Sequence, residues 1–371
     1  MQKVYFIRVW PSPPIAKSIE AVLRKAFPEY ELEIIDIARI LKKRPGILLR
    51  NTLAVVRYYG LDILRGIKTF KESFWYTPYL FNQIGRLLPG LIDSSQAALT
   101  FQLQSLFDAS QPGLPHYVYT DHTHLANLDY PDFDRRKLYH RSWIDLEESI
   151  YHKATLVFTR STNIARSLVR QYGLPPHKAV CVYAGSNAPV VGQPVSPEGS
   201  NGRAKNILFV GADWERKGGP DLLEAFRAVL SRHPDARLTI VGSSPEVHEP
   251  QVNVVGYVPV DQLDRYYRQA DIFCLPTRRE PFGIVFVEAL SYRLPLVATD
   301  IGAIPDMVVH GKNGYLVAPG DVHGLSQALD DLLSDAEKRS RFGEYSYRLA
   351  TERYNWDAVA KAIRENVMIK S

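Results

Sequence analysis

The sequence predicts an α/β protein built from two doubly wound domains, and three observations support this fold class. Short apolar runs typical of strands alternate with helical periods along the 371 residues. The strand-like runs are continuously apolar, as expected for parallel strands that are buried on both faces. The segment 188–202, rich in Pro, Gly, Ser and Val, separates the alternating elements into two series and is the predicted linker.

The two series define the predicted domains. Strand-like runs of the first series are 3–10, 30–37, 97–103, 116–121, 154–159 and 179–183. Those of the second series are 206–210, 237–241, 253–257, 272–275, 296–298 and 315–317. We therefore expect an N-terminal domain over 1–190 and a C-terminal domain over 203–354. The tail 355–371 has a helical period, and we expect it to pack back on the N-terminal domain.

The charge of the chain is unevenly placed. The net charge of +5 separates into +8 for residues 1–188, with 24 Lys/Arg against 16 Asp/Glu, and −3 for the remainder. Nine basic residues and the acidic Asp62 lie in 39–71, interleaved with apolar and aromatic residues. Two interpretations stay open: a helix on an anionic membrane surface, with contact over 39–86, or a core-packing helix with a solvated basic face. No nucleic-acid partner is expected, because no base-reading motif accompanies the charge.

Two further features bear on location. Cys181 and Cys274 lie in strand-like runs, which predicts buried thiols in a reducing compartment and excludes a disulfide framework. The chain begins with a strand pattern in place of a signal peptide, and no uncharged apolar run is long enough to span a bilayer. We therefore expect a cytoplasmic protein, with peripheral attachment to the cytoplasmic membrane face left open.

Three loops of the second series have the character of anion sites. The loop after 206–210 contains glycines and the adjacent cations Arg216 and Lys217, just before a helix start. The loop after 272–275 ends in Gly283 and Ile284, whose amides are free to meet a phosphate at a helix start. The third loop is 300–305. Each alone fits a plain strand–loop–helix turn, but three at one sheet edge predict a diphosphate ligand.

Glu280 and Glu288 bracket an otherwise apolar helical segment. A carboxylate in a buried helix is costly unless it is paired, so both need polar partners. Eight residues of helical rise span roughly 12 Å, which exceeds the separation of about 5–9.5 Å between the carboxyl groups of glycoside hydrolases. The pair therefore favours an elongated ligand held at both ends over hydrolysis. The alternatives are a dipole-stabilised carboxylate for Glu280 and an internal salt bridge for Glu288.

The fourth strand of the first series ends in Asp121-His122-Thr123-His124, which places polar groups at the carboxyl edge of the predicted sheet. Two His and one Asp also suit zinc, but no further ligands follow at convincing spacing. The triplet Asp132-Phe133-Asp134 mimics a metal-binding motif. It lies in a loop before a helical segment, where a helix-capping role is favoured.

These motifs, in this order and spacing, resemble the retaining family 4 glycosyltransferases, which have the GT-B fold of two Rossmann-like domains facing each other across a cleft. The resemblance is clearest over 206–321 and extends loosely over the whole chain. The motifs that carry it are Phe209-Val210-Gly211 with Trp214 and Arg216-Lys217-Gly218, Gly256-Tyr257-Val258-Pro259, Glu280-Pro281-Phe282-Gly283 with Glu288-Ala289-Leu290, Gly302-Ala303-Ile304-Pro305-Asp306 and Gly311-Lys312-Asn313-Gly314.

The resemblance implies a nucleotide-sugar donor bound by the C-terminal domain. Lys217, with Arg216 beside it, would neutralise the donor diphosphate. Glu280 would hold hydroxyls of the donor sugar, and the segment Phe282-Gly283-Ile284 would meet sugar or phosphate oxygens. The family needs no metal or other cofactor, because cations and helix amides stabilise the leaving diphosphate.

The resemblance also implies roles for the remaining candidates. Glu288 would hold the ribose hydroxyls, and the base would stack near Tyr257 and Val258. His122 matches the family histidine that approaches the donor sugar and the reacting centre, with His124 as the fallback.

The chain departs from the family pattern in two places. Ala212 and Asp213 follow Gly211, where family members often have an Arg or Ser, and Arg216 would compensate. The segment Pro11-Ser12-Pro13-Pro14 replaces the Gly-Gly loop that lets a backbone amide reach the donor phosphate. This second departure removes the support for a phosphate contact from the first domain.

The expected function is therefore retaining transfer of a hexose from a UDP-linked donor to an acceptor that is a glycan, a lipid or a small molecule. Two alternatives stay open. One is a nucleotide-sugar 2-epimerase, which shares the architecture, and the other is a non-catalytic nucleotide-sugar binding protein.

Overall fold

The computed structural model describes residues 1–10, 14–186 and 205–370. The chain forms two units, of which the first comprises Met1–Tyr183 and Val359–Ser371 and the second comprises Ala184–Ala358. The predicted linker 188–202 and the first three residues of the Pro-rich segment 11–14 lie outside the described residues. The last residue of that segment, Pro14, begins the first helix.

The first unit is built on a parallel sheet whose described strands are β1 Lys3–Arg8, β2 Glu31–Asp36, β3 Ala97–Leu103, β4 His116–Thr120, β5 Leu156–Thr159 and β6 Ala179–Cys181. Their order in the sheet is β2-β1-β3-β4-β5-β6. β3, β4 and β5 are almost entirely buried, because helices cover both faces of a parallel sheet. This is why their sequences are continuously apolar and show no alternation.

The helices of the first unit follow the predicted alternation. They are α1 Pro14–Ala26, α2 Ile37–Lys42, α3 Pro45–Leu64, α4 Phe70–Ser73, α5 Pro78–Leu87, α6 Arg141–Lys153 and α7 Thr162–Tyr172. Local signals set their ends. The Ser161 hydroxyl accepts from the Ile164 amide at the start of α7, and Gly173 ends α7 in the left-handed conformation.

The described strands of the second unit are β7 Asn206–Val210, β8 Arg237–Val241, β9 Val252–Gly256, β10 Ile272–Leu275, β11 Leu296–Thr299 and β12 Gly314–Val317. They form a sheet with the order β12-β11-β10-β7-β8-β9, also parallel throughout its described pairs. Its described helices are α8 Gly219–Leu230, α9 Asp264–Gln269, α10 Ile284–Ser291, α11 Ile304–Met307, α12 Val322–Ser334 and α13 Ala336–Glu352. The two doubly wound sheets confirm the predicted α/β class.

The last helix, α14, spans Trp356–Lys370 and begins in the second unit. In the second unit, the Trp356 indole N–H donates to the Ser186 carbonyl at 3.0 Å. From Val359 onward the helix belongs to the first unit, where Arg364 donates to the Glu29 carboxylate at 2.9 Å. Across the described residues, none of the helices combines the length and the apolar character needed to cross a membrane.

Gly314 begins the edge strand β12 and packs closely against the backbone of β11. A Cβ atom added at Gly314 would lie 2.0 Å from the Leu296 carbonyl oxygen of β11, which is backbone and cannot move aside. We expect Gly314→Ala to lower the free energy of unfolding by about 1–3 kcal/mol through overpacking. Gly60→Ala is the matched control, because its Cβ would have no neighbour closer than 3.6 Å. Equal thermal unfolding of both variants would contradict the expected packing.

Candidate active site

The second unit places its candidate loops at the switch point of the sheet. From β7 the chain proceeds outward to β8 and β9, and from β10 it proceeds in the opposite direction to β11 and β12. Neighbouring strands β7 and β10 therefore leave a crevice at their carboxyl ends, where doubly wound sheets bind ligands. The loop with Lys217 follows β7, and the loop with Glu280 follows β10.

Backbone and side-chain hydrogen bonds join these two loops. The Arg216 carbonyl accepts from the Arg278 amide at 2.9 Å and from the Thr277 hydroxyl at 3.2 Å. In return, the Arg216 guanidinium donates to the Arg279 carbonyl at 2.9 Å and to Asp213 at 2.9 Å. Arg216 therefore acts in this structure as a brace between the loops.

Gly218 makes the close approach of the loops possible. Its φ of +72° lies in the left-handed region, and a Cβ atom there would lie 1.9 Å from the Pro276 carbonyl oxygen. Gly218 also caps α8, whose first turn contains Pro220. The glycine predicted to permit close backbone approach thus allows contact between the two loops.

Lys217 and Glu280 form an ion pair between the loops, through the Lys217 ammonium and Oε2 of Glu280. Both side chains are largely removed from solvent. Each charge compensates the desolvation of the other, so removal of one would leave the other buried and unpaired. The structure thus brings together the cation predicted for the diphosphate and the carboxylate predicted for the sugar.

The helix α10 begins directly beside this pair. Gly283 caps it with a φ of +90°, and a Cβ atom there would lie 2.7 Å from the Phe286 ring and 3.1 Å from Cγ of Glu280. The amides of Ile284 and Val285 lie in the first turn, where a helix presents donors without intrahelical acceptors. The next amide, of Phe286, already donates to the Gly283 carbonyl at 2.9 Å. Phe282, just before the helix start, is buried.

Glu288 lies on the same helix but is buried in a separate environment. The Tyr267 hydroxyl of α9 donates to its Oε2 at 2.8 Å, and the Tyr267 ring stacks on Tyr292 at a centroid distance of 5.1 Å. Burial raises the pKa of the Glu288 carboxyl to about 7, opposed by the hydrogen bond from Tyr267. The partner is therefore a tyrosine hydroxyl and not the salt bridge considered as an alternative.

Tyr257 and Val258 follow the carboxyl end of β9, which β8 separates from β7. The Tyr257 side chain is 84% exposed, and Val258 is half-buried. An exposed ring of this kind has its face available for stacking.

Ser243 is a polar residue at this edge that the sequence interpretation missed. It follows β8, and its hydroxyl is buried without a hydrogen-bond partner among the described residues. The preceding Gly242 has a φ of +94°, and a Cβ atom there would lie 2.9 Å from the carbonyl carbon of Gly211. The signal in the sequence is the Gly-Ser pair directly after a buried strand.

The first unit has a cavity of about 170 Å³ near its own switch point, between β1 and β3. His122 lines this cavity, as the sequence predicts for the end of β4. The other lining residues are Trp10, Tyr76, Gln104, Ser105, Leu106, Thr120, Asp121, His124, Trp143 and Glu147. The loop is held locally, since the Thr120 hydroxyl donates to the His122 carbonyl at 2.7 Å.

His124, the fallback candidate, is bound in a structural environment. Its Nε2 accepts from the Tyr139 amide at 2.7 Å, and its ring stacks on the Tyr139 ring at 4.4 Å. Burial lowers the pKa of His124 to about 3, so the imidazole is neutral at pH 7. His124 is therefore better suited to anchoring the loop than to moving a proton.

Glu147 of α6 is a buried carboxyl that the sequence interpretation missed. It accepts from the Ser105 hydroxyl at 2.9 Å, the Tyr151 hydroxyl at 3.0 Å, the Tyr172 hydroxyl and the His124 amide. Burial is the main cause that raises the pKa of Glu147 to about 7. The available signal was a glutamate at a core position of an amphipathic helix, four residues before Tyr151.

The fold brings no further ligands among the described residues to the two metal sites considered from the sequence, at 121–124 and 132–134. Within residues 1–10, 14–186 and 205–370, no group of three or more His, Cys, Asp or Glu side chains is placed to hold a metal ion. Asp134 of the Asp-x-Asp triplet accepts from the Arg136 amide at 2.9 Å and caps a short 3₁₀ turn. This agrees with the capping role favoured by the sequence.

Comparison with known proteins identifies the family. Residues 195–349 match the family model described as "Glycosyl transferases group 1", a segment that contains both loops of the Lys217–Glu280 pair. The matched segment belongs to the group 1 glycosyl transferases. Sulfoquinovosyl transferase SQD2 of Arabidopsis thaliana is 27% identical over 330 residues, which cover 83% of this chain and 63% of that protein. The chain spans between 59% and 63% of the length of this protein and of two other curated relatives.

Solved structures show the same fold at low sequence identity. Sucrose-phosphate synthase from Thermosynechococcus elongatus matches with a TM-score of 0.70 at 16% identity, over 100% of both chains. HepE of Anabaena, solved in complex with UDP and glucose, matches with a TM-score of 0.59 at 16% identity, over 99% of this chain and 100% of that chain. These matches confirm the GT-B fold class for this chain. The comparisons do not favour the 2-epimerase alternative.

The raised pKa of Glu147 predicts a pH effect on stability. Between about pH 4.5 and pH 7 the folded protein retains a proton that the unfolded chain releases. The contribution of Glu147 to the free energy of unfolding is therefore full near pH 4.5 and is lost as the pH rises toward 7. The free energy of unfolding falls with a limiting slope of about 1.4 kcal/mol per pH unit. We expect Glu147→Gln, which cannot ionise, to remove this part of the pH dependence in urea unfolding at pH 5, 6 and 7.

The neighbouring Glu148 provides the control for that experiment, because its side chain is 41% exposed on the same helix. Glu148→Gln should follow the pH dependence of the wild type. Parallel curves for the wild type and Glu147→Gln would show that Glu147 ionises normally in the folded protein.

Proposed function

We propose that this protein is a retaining family 4 glycosyltransferase, which moves a hexose from a nucleotide diphosphate sugar to a hydroxyl of an acceptor. The observation that carries the proposal is the Lys217–Glu280 ion pair at the switch point of the second unit, beside the start of α10. A cation, a carboxylate and helix amides at one sheet edge suit a ligand that joins a diphosphate to a polyol.

The leaving diphosphate would be stabilised by Lys217 and by the amides of Gly283 and Ile284. These groups are fixed before the ligand arrives, so they need little reorganisation as negative charge develops on the leaving oxygen. Arg216 would contribute mainly by holding the two loops together, since its guanidinium contacts Asp213 and the Arg279 carbonyl. This set of donors would serve the role that a metal ion has in other transferases, so we propose a metal-independent reaction.

Glu280 would accept hydrogen bonds from hydroxyls of the donor sugar once the diphosphate engages Lys217. Phe282 and Gly283 would border the sugar at the same loop. Glu288 would hold the ribose hydroxyls, in an environment where Tyr267 already orients its carboxyl. The base would stack on the exposed Tyr257 beside Val258. We propose a uridine nucleotide because HepE, which shares the fold, was solved with UDP and glucose.

In the proposed reaction, the acceptor oxygen bonds to the anomeric carbon as the bond from that carbon to the phosphate oxygen breaks. The acceptor proton passes to the leaving diphosphate on the same face, so the configuration is retained. His122 would act at the reacting centre, with Glu147 and His124 positioning its loop. The acceptor would be a glycan, a lipid or a small molecule with a free hydroxyl.

The proposal predicts that Glu280→Gln lowers the rate of sugar transfer by about 100-fold or more, because a preorganised contact to the reacting sugar is lost. The variant keeps the size of the side chain and a hydrogen-bond acceptor for Lys217. Transfer would be measured by mass spectrometry with a panel of UDP-sugars and with glycan, lipid and small-molecule acceptors. Glu215→Gln is the matched control, since Glu215 is exposed in the facing loop.

Unchanged transfer in Glu280→Gln would refute the assigned role of Glu280. Tight binding of UDP-sugars by the wild type, without transfer to any acceptor, would instead favour the non-catalytic binding protein.

A further inference from the structure

Helix α3 is apolar on two opposite faces, although one of them lies in solvent. Its buried face contributes Asn51, Ala54, Val55 and Tyr59 to the first unit. Its exposed face contains large apolar side chains: Leu49 (68% exposed), Leu53 (67%), Val56 (60%), Leu61 (68%) and Leu64 (85%). A surface helix of a globular protein ordinarily places polar and charged residues on the side away from the core. The exposed face of α3 therefore has an unusual composition for a solvated surface.

Four of these five exposed apolar residues form one continuous stripe. With 3.6 residues per turn, Leu49, Leu53, Val56 and Leu64 fall within an arc of about 80° over roughly 22 Å of helix. Gly60 lies inside this arc and adds no polar side chain to it. We call these five residues, 49, 53, 56, 60 and 64, the α3 stripe.

The helix is fixed with the stripe outward. On its opposite face, the Asn51 side chain donates to the Phe74 carbonyl at 2.8 Å, and the Tyr59 hydroxyl donates to the Tyr76 carbonyl. The Tyr59 hydroxyl also accepts from the His140 amide at 3.3 Å. Rotation of α3 to bury the stripe would break these buried hydrogen bonds, which costs more than a surface contact.

The charges around the stripe are positive. Arg50 and Arg57 lie along one side of it, about 80–100° from Leu49 around the helix. Lys42, Lys43 and Arg44 precede the helix, and Arg65 follows it, all of them exposed. Asp62 does not offset them, because it pairs with Lys68 at 2.5 Å. The stripe is therefore an apolar surface with a basic border.

This charge pattern distinguishes between possible occupants of the surface. In a two-fold dimer a second copy of the chain would bring the same basic border and no unpaired acidic side chain from α3, so the arginines would gain no opposite charge. An anionic lipid surface instead offers an apolar layer for the leucines and phosphate headgroups for the arginines. We propose that the α3 stripe docks this protein peripherally on a membrane with anionic lipids, with α3 lying in the plane of the interface.

Docking of this kind goes beyond the transfer reaction and is independent of the identity of the donor. It also unites the two interpretations of the basic segment 39–86, since one face of α3 packs on the core while the other remains for a lipid surface.

The proposal is tested with the full chain in vesicle flotation. Vesicles of phosphatidylcholine with phosphatidylglycerol are compared with vesicles of phosphatidylcholine alone, at low and high salt. We expect binding to the anionic vesicles that salt weakens. The triple variant Leu53→Gln, Val56→Gln, Leu64→Gln should lower the bound fraction about tenfold, since glutamine preserves helix propensity but does not enter the acyl layer. Arg50→Gln with Arg57→Gln should weaken binding to anionic vesicles and reduce its salt dependence.

Met368→Gln is the matched control, because Met368 is an exposed apolar residue on α14, away from α3 in sequence. It should bind vesicles as the wild type does, and circular dichroism should confirm that all variants are folded. Absence of wild-type binding to anionic vesicles, or equal binding by the triple variant, would overturn the proposal. A wild-type dimer that the triple variant loses in analytical ultracentrifugation, without vesicle binding, would assign the stripe to a second copy instead.

Discussion

The structure of the candidate site depends on the ion pair between Lys217 and Glu280. Each residue lies in a loop at the carboxyl end of one of two neighbouring strands, and each side chain would be costly to bury alone. The close approach that the pair requires explains why a glycine occupies position 218. It also explains why Arg216 contacts three residues of the facing loop. A ligand that separates the two charges must replace both partners. The proposed donor would do so, because its diphosphate would meet the cation and its sugar hydroxyls would meet the carboxylate.

The first unit fixes its candidate loop with a buried hydrogen-bond network. Glu147 accepts hydrogen bonds from three hydroxyl groups and from the backbone beside His122, and its burial favours the protonated carboxyl. His124, neutral and bound to the Tyr139 amide, holds the other side of the same loop. The loop that presents His122 to the cavity is thus fixed by hydrogen bonds to two buried groups, whose charged forms are disfavoured by burial.

Much of the fold could be predicted from the sequence, because parallel strands covered on both faces must be continuously apolar and their loops must contain the polar chemistry. For that reason the sequence alone could point to the glycines at 218 and 283 and to the cations at 216 and 217. The order of the strands was not predictable, so neither was the contact between Lys217 and Glu280, which are 63 residues apart. The partners of Glu288 and Glu147 were hidden in the same way, since Tyr267 and Tyr172 reach them from other helices. The two faces of α3 were ambiguous because apolar residues around a whole helix remove the periodic signal that tells the core from the surface.

A crystal structure of the protein with UDP would test most directly whether the Lys217–Glu280 pair receives the donor. We expect the diphosphate between the Lys217 ammonium and the amides of Gly283 and Ile284, the ribose at Glu288, and the carboxylate of Glu280 released from Lys217 toward the position of the sugar. A complex in which UDP binds elsewhere, or in which the Lys217–Glu280 pair stays closed while UDP occupies the crevice, would contradict it.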